Sequence, residues 1–278
     1  KYRVNYSKVE FCNIIDEIEH PIVREALRLF NIDFPIEITT FSDVPGQTGL
    51  GSSSSFAVGL VNALFAIKGQ TVTKHTMASI AAEIEINILK RNMGKQDHFA
   101  ASYGNINVIT FKSDETVLVD PVFHNQKTRN FIEDNLFLFY TKVKRDASFI
   151  LSSQAKATEQ KRHELSKMKD FVYPLRDIIS SGDNLNQIGT ILDQSWQLKK
   201  MITKDISSKE IDRYYENAQR QGSLGGKLLG AGGGGFLLFF IEKENQKKVL
   251  GTLDELYNMP FKFDHGGTRI TYYDQSTV

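Results

Sequence analysis

A two-lobed α+β protein is what the order of patterns along this chain of 278 residues predicts. Short alternating runs and two apolar helical stretches fill residues 1–119. Long, charged, helically periodic stretches dominate residues 148–221. Two glycine-rich segments, 45–51 and 222–235, each lead straight into an apolar element.

Taken in order, residues 1–10 alternate as an edge strand, and residues 13–30 carry an imperfect apolar helical face of Ile15, Ile18, Ile22, Leu29 and Phe30. Pro21 interrupts that face, so one helix or two short ones fit equally. Ile36–Thr39 alternates as a strand. After the turn-rich loop, Ser52 or Ser53 is placed to cap a helix carrying Phe56, Leu60, Leu64 and Ile67, which Gly69 stops. Thr73 is placed to cap a second helix reaching Lys90, with Met77, Ile80, Ala81, Ile84 and Ile88 on its apolar face. Strands follow at 105–111, 117–119 and 136–141, then amphipathic helices at 148–171, 184–202 and 208–221. The apolar strand Phe236–Ile241, a helix near 245–257 and a strand near 268–273 finish the chain. The change of character puts the lobe boundary near 125–135, dividing the chain into 1–128 and 129–278, with His124–Lys127 as the hinge.

Composition narrows the function classes. Hydrophobic residues at 41% and charged residues at 24% exclude a disordered chain. Lys and Arg number 34 against 33 Asp and Glu, so no overall basic excess points to nucleic acid. No apolar run reaches the ~18–20 residues that span a bilayer. The single cysteine, Cys12, permits no intrachain disulfide and no cysteine metal cluster; it reads as a small buried hydrophobe.

Three segments carry candidate chemistry. The run from Pro45 to Ser55 combines glycines, which allow close backbone approach, with serine hydroxyls and a helix N-terminus whose first amides lack partners. Such a loop is an anion cradle suited to phosphate; an ordinary helix cap is the plain alternative. It is neither a P-loop, because Ser52 stands where lysine is needed, nor a dinucleotide fingerprint, because Ser54 stands where the third glycine is needed. At 100° per residue Glu85 falls near Ala81 and Ile88, so it is the better-placed of Glu83 and Glu85 to face inward and hold a cation; an exposed helix glutamate is the alternative. Asp97, in Gly94–Ala101, reads either as a helix N-cap or as a base. The six histidines include no ligand pair at helical spacing, which disfavours zinc beside His98. Four consecutive glycines, Gly232–Gly235, suit close packing or a ligand wall, and Lys227 just before them is placed to neutralise phosphate charge.

These segments together resemble the superfamily of galactokinase, homoserine kinase, mevalonate kinase and phosphomevalonate kinase. Pro45, three variable residues, Gly49-Leu50-Gly51 and Ser52-Ser53 are similar to its central signature. Gly94-x-Gln96-Asp97 with Ala100-Ala101 resembles its acidic motif, and Leu229–Gly235 its C-terminal glycine motif. Within it, Lys1–Val4, Tyr6–Glu10, Gly49–Phe56 and Leu136–Thr141 look most like bacterial heptose 7-phosphate kinases. The resemblance implies an N-terminal lobe like ribosomal protein S5 domain 2 and a ferredoxin-like C-terminal lobe. It implies ATP on Pro45, Gly46, Gly49, Leu50, Gly51, Ser52, Ser53 and Ser54, with Gly232 and Gly233 closing near the phosphates, and Mg²⁺ on Ser53 and Glu85. Asp97 would orient or deprotonate the sugar hydroxyl, and Gly234 would meet the substrate. Lys144 and Arg145 are candidates for the substrate's distal phosphate, against a solvated charge pair.

The implied reaction phosphorylates the anomeric hydroxyl of a sugar phosphate, in the cytoplasm, for nucleotide-activated heptose and surface polysaccharide; no membrane or nucleic-acid partner is expected, and monomer or homodimer stays open. The family's opening strand, with its proline, arginine and Gly-Gly-Gly-Thr-Asp stretch, does not precede Lys1, so roughly 50–60 residues are expected upstream. Ser54 and Ser55 also replace the more usual alanines. A sugar 1-kinase acting on an unphosphorylated hexose, a non-catalytic nucleotide sensor and a structural protein are the rival readings. Competition by a sugar 7-phosphate separates the first; Glu85 and Asp97 speak against the second, which ATP binding without ADP release on any sugar would revive; and the two glycine-rich anion loops with spaced carboxylates speak against the third.

Overall fold

The computed structural model describes residues 1–44, 46, 48–143 and 147–274. They form two compact units, each α+β. The first takes the described residues of 1–46, 51–105 and 264 onward; the second takes those of 47–50 and 106–263.

In the first unit, β1 (Tyr2–Asn5) pairs antiparallel with β2 (Val9–Cys12) and parallel with β3 (Ile36–Thr39). Alternation decides the faces: Tyr2 and Val4 are buried, and Arg3 between them is exposed. The stretch 13–30 resolves as a 3₁₀ turn at Ile15–Glu17 followed by α1 (Pro21–Leu29). Pro21 sits in the first helical turn, where its missing N–H is harmless, and His20 caps it by accepting from Val23 N. The helix α2 (Ser52–Ile67) buries Ala57, Val58, Val61 and Leu64 against Ile22, Val23 and Leu27 of α1. Thr73 caps α3 (Lys74–Ala82), as its hydroxyl and spacing predict. Beyond α3 the backbone widens into a π-helical turn, Glu83–Ile88, and α4 (Gln96–Tyr103) then packs on both α2 and α3.

In the second unit, β4 (Asn107–Phe111) and β5 (Val117–Pro121) form a separate antiparallel hairpin. Asn125 caps α5 (Gln126–Asn135), which leads into β6 (Leu136–Tyr140). Four helices follow: α6 (Ala147–Ala157), α7 (Arg162–Asp170), α8 (Val172–Ser181) and α9 (Gln187–Lys200). Then come α10 (Lys209–Arg220), β7 (Ser223–Leu228), β8 (Phe236–Ile241), α11 (Lys243–Thr252) and β9 (Tyr257–Met259). The four-stranded sheet is antiparallel throughout, in the order β7-β8-β6-β9. Its central strands are apolar without alternation because both faces are covered. Leu237, Phe239 and Ile241 join one cluster with Trp196, Ile211 and Tyr215, and Leu136 and Phe240 join another with Ile132, Ile179 and Ile188. Each such side chain, fully buried, contributes about 1.5–3 kcal/mol.

Several expectations are corrected. The units divide at Asn105/Ile106, not at 125–135, because Val108 and Val122 around the β4–β5 hairpin pack against Ile132 and Ile179 of the second unit. His124–Lys127 is the capped entry to α5 rather than a hinge. The stretch 148–171 is two helices, broken at 158–161, and α8 follows it unforeseen. No strand forms at 268–273. That segment returns to the first unit as a loop held by backbone bonds from Asn105 N to Asp264 O and from Thr268 N to Ala101 O.

Candidate active site

In the first unit the site begins at α2. Gly51 is its N-cap, in the left-handed region at φ +67°, and contributes no side-chain cap. Ser52 and Ser53, expected as caps, are instead the first two helical residues. The first intrahelical bond runs from Ser55 N to Gly51 O, so the amides of Ser52, Ser53 and Ser54 precede the ladder and have no partner within the helix, as an anion cradle needs. The Ser54 hydroxyl is fully buried and has no hydrogen-bond partner among the described residues.

Ser53 spends its hydroxyl elsewhere: Oγ donates to Glu85 Oε1 at 2.8 Å. Glu85 is wholly buried, which settles its face in favour of the inward reading. The π-helical turn places it there, and Arg91 N closes the turn's end on the Glu85 carbonyl. The Arg91 guanidinium donates to the same Oε1. His98 Nε2 lies 2.9 Å from Oε2 and, facing a carboxylate, is assigned the proton. His98 Nδ1 is buried without a hydrogen-bond partner among the described residues. Burial pushes the Glu85 carboxyl up, but the hydrogen bonds from His98 and Ser53 and the charges of His98 and Arg91 outweigh it, holding Glu85 below the usual range.

Asp97 is the second residue of α4, whose N-cap is Lys95. It is therefore not the helix N-cap. Its side chain is open to solvent at the surface but crowded from behind: a Cβ placed on Gly51 would lie 2.9 Å from Asp97 Cγ. Desolvation raises its pKa; the neighbouring His98 opposes the rise and the Glu85 charge reinforces it. Two carboxylates in one cluster are thus pushed in opposite directions, which suits one to hold a cation and the other to take a proton.

Gly51 carries a testable consequence. Gly51→Ala forces a side chain into the left-handed region and against Asp97, so a stability loss of about 1–3 kcal/mol is expected, read by urea unfolding. Gly46→Ala meets nothing within 4 Å and is expected to be neutral.

In the second unit the glycine loop is explained largely by packing. A Cβ on Gly232 would lie 2.9 Å from Ile206 O, on Gly234 2.3 Å from Val143 O, and on Gly235 2.1 Å from Thr48 O. Gly233 N and Gly235 N donate to Ile206 O and Val143 O. Gly49, at φ +81°, and Gly230 meet backbone to backbone, the Gly230 Cβ position falling 2.7 Å from Gly49 Cα. The two glycine segments expected to handle phosphate are therefore in direct contact through Thr48 and Gly49. Leu50 is half-buried. Pro45, Lys144 and Arg145 lie outside the described residues.

His98 and Arg91 were not found as partners of Glu85 by sequence reasoning. No local spacing signals a bond across 13 residues, and the Arg91 contact at six residues depends on the π-helical turn.

A family model for the GHMP kinases N terminal domain matches residues 11–105, and one for the GHMP kinases C terminal matches residues 176–258. The chain belongs to the GHMP kinases. This member is 30% identical over 234 residues to D-glycero-alpha-D-manno-heptose 7-phosphate kinase of Campylobacter jejuni, a match covering 83% of this chain and 69% of that protein. It is 25% identical over 237 residues to galactokinase of Pyrococcus furiosus, covering 74% of this chain and 64% of the relative. Among solved structures, a D-glycero-D-manno-heptose 1-phosphate kinase from Bacteroides thetaiotaomicron superposes with a TM-score of 0.71 at 22% identity, over 98% of this chain and 84% of the other, which shows the shared fold. The two-lobed GHMP kinase architecture expected from the sequence is the one observed. Among the described residues no helix is long and apolar enough to cross a membrane.

Mg²⁺ takes oxygen ligands, typically one or two carboxylates plus substrate phosphates. Glu85 is a buried carboxylate held ionised, with Ser53 and Arg91 on Oε1 and His98 on Oε2, so it would hold Mg²⁺ beside Ser53 only where a bound cation displaces one of these donors.

Proposed function

We propose that this GHMP kinase transfers the γ-phosphoryl group of ATP to the anomeric C1 hydroxyl of D-glycero-D-manno-heptose 7-phosphate, giving the 1,7-bisphosphate that supplies nucleotide-activated heptose for surface polysaccharide. The observation that carries the reading is the Ser53–Glu85–Asp97 cluster at the start of α2, its two carboxylates oppositely perturbed. The heptose phosphate as acceptor is supported by the 30% identity to the Campylobacter relative.

In this reading Gly49, Gly51, Ser52, Ser53 and Ser54 bind the nucleotide phosphates, Gly232 and Gly233 also bind the nucleotide, and Gly234 binds the sugar. Ser53 and Glu85 hold Mg²⁺, which when bound neutralises phosphate charge. Asp97 accepts the C1 hydroxyl proton as the sugar oxygen bonds to the γ-phosphorus; the bond from that phosphorus to the β,γ-bridging oxygen breaks and ADP leaves. An anomeric hydroxyl is more acidic than an ordinary alcohol, and a carboxylate held above its usual pKa is the stronger base, so the proton transfer is matched from both sides. Lys144 and Arg145 remain candidates for the distal phosphate.

A coupled assay of ADP release, run with heptose 7-phosphate and with galactose, mannose and fucose, tests this. Turnover with the heptose phosphate, at a kcat/KM at least tenfold above any plain sugar, is expected. Preferential turnover of a plain hexose would replace the acceptor, and ADP release with none of them would leave only a nucleotide-binding protein.

A further inference from the structure

The second unit holds two lysines that the reading above does not use. Lys199 lies in the last turn of α9 and Lys227 on β7, opposite Leu238. The helix α9 is pressed onto β7 at its other end: a Cβ on Gly225 would lie 2.2 Å from Gly189 O. That close approach brings the end of α9 to the glycine loop, where the Lys199 ammonium donates to Gly230 O. Gly230 is the residue in backbone contact with Gly49.

Neither lysine has a carboxylate partner among the described residues. The next residue shows the contrast: Lys200 pairs with Asp212 at 3.3 Å and lies over the rings of Trp196 and Tyr215. Lys199 has only a neutral carbonyl, and Lys227 has no hydrogen bond or ion pair among the described residues. Both are half-buried, and a desolvated cation without a counter-charge is unfavourable. Burial, with the charge of Lys227 adding to it, holds Lys199 down to about 7, and burial pushes Lys227 down as well. Two cations placed to repel each other, with no counter-charge among the described residues, leave a deficit that a dianion fills.

We propose that Lys227 and Lys199 form the cationic wall of a phosphate subsite beside the Gly49–Gly230 contact, taking a phosphate-ester dianion of the reactants. The chemistry is common to the acceptor's distal phosphate and the nucleotide's own phosphates. Assignment to the reaction rests on the kinase reading; the binding of an anion does not.

Two measurements on the full chain separate these layers. Calorimetric titration with inorganic pyrophosphate is expected to show binding that weakens at least tenfold in Lys227→Met and recovers in Lys227→Arg. Methionine keeps the apolar stem, and unchanged circular dichroism confirms that the variant is folded. Equal pyrophosphate affinity in wild type and Lys227→Met would overturn the subsite, whatever the enzyme's acceptor.

Steady-state kinetics then assign the source. A KM for heptose 7-phosphate raised at least tenfold, with kcat and the KM for ATP within about threefold, places the acceptor's phosphate there. A raised KM for ATP instead places the nucleotide's. Both constants unmoved would overturn a role for the subsite in the reaction. A Lys199 that merely holds the Gly230 carbonyl would show a lower unfolding midpoint in Lys199→Gln with no change in either KM or in pyrophosphate affinity.

Discussion

Asp97→Asn is expected to lower kcat by about 10²–10⁴-fold, the range for loss of a positioned general base, with KM values changed little. The substitution keeps the shape of the side chain beside Gly51, and the aspartate is not the N-cap of α4, so the fold is expected to hold. A pH profile makes the prediction sharper. Desolvation, opposed by His98 and reinforced by Glu85, holds Asp97 above the usual aspartate value. In wild type kcat should therefore fall as pH drops through a midpoint above that of an ordinary aspartate, as the base becomes protonated. The residual activity of Asp97→Asn should lack that limb. A variant with wild-type kcat would remove Asp97 from the chemistry.

The second large effect concerns Glu85. Glu85→Ala strips Ser53, Arg91 and His98 of one shared acceptor and leaves the buried His98 Nε2–H and the Arg91 guanidinium unpaired. Breaking one side of a buried charge network costs about 3–5 kcal/mol, read as a reduced urea midpoint. Glu85→Gln separates stability from metal. It keeps an acceptor oxygen and the volume, so it should fold while needing at least tenfold more Mg²⁺ for half-maximal activity. The pH dependence follows from the sign of the shift. Glu85 is held below its unfolded value, so its contribution to stability is present above that value and is lost as pH falls through the folded one. Acid unfolding should accordingly be shallower in Glu85→Gln than in wild type. Unchanged Mg²⁺ dependence in a folded Glu85→Gln would exclude it as a ligand.

Much of this site was legible in the sequence. Glycine and serine ahead of an apolar helical run announced α2 and the amides that precede its ladder, and 100° spacing placed Glu85 inward. What escaped was set by backbone geometry and distant contacts. Spacing arithmetic assumes an α-helix, and the π-helical turn at 83–88 departs from it, bringing Arg91 to Glu85. Ser53 looked like a cap because serine caps helices; tertiary contact with Glu85 claims its hydroxyl, and Gly51 takes the cap position. The glycine run was open between close packing and a ligand wall. Ile206, Val143 and Thr48 supply the packing, with backbone partners that no local pattern reveals. The lobe boundary was misplaced because the β4–β5 hairpin resembles the preceding strands in composition while its core contacts lie with Ile132 and Ile179. Residues 268–273 alternate like a strand, yet the segment finds backbone partners in the α4 region instead of a sheet edge.

Phosphorus NMR of the full chain incubated with ATP, Mg²⁺ and D-glycero-D-manno-heptose 7-phosphate tests the central claim most directly. The expected result is a new anomeric phosphate resonance that grows in step with ADP, while the 7-phosphate signal persists and Asp97→Asn slows its growth at least a hundredfold. ATP and heptose 7-phosphate both remaining intact, in a sample that consumes ATP with an unphosphorylated hexose, would contradict it.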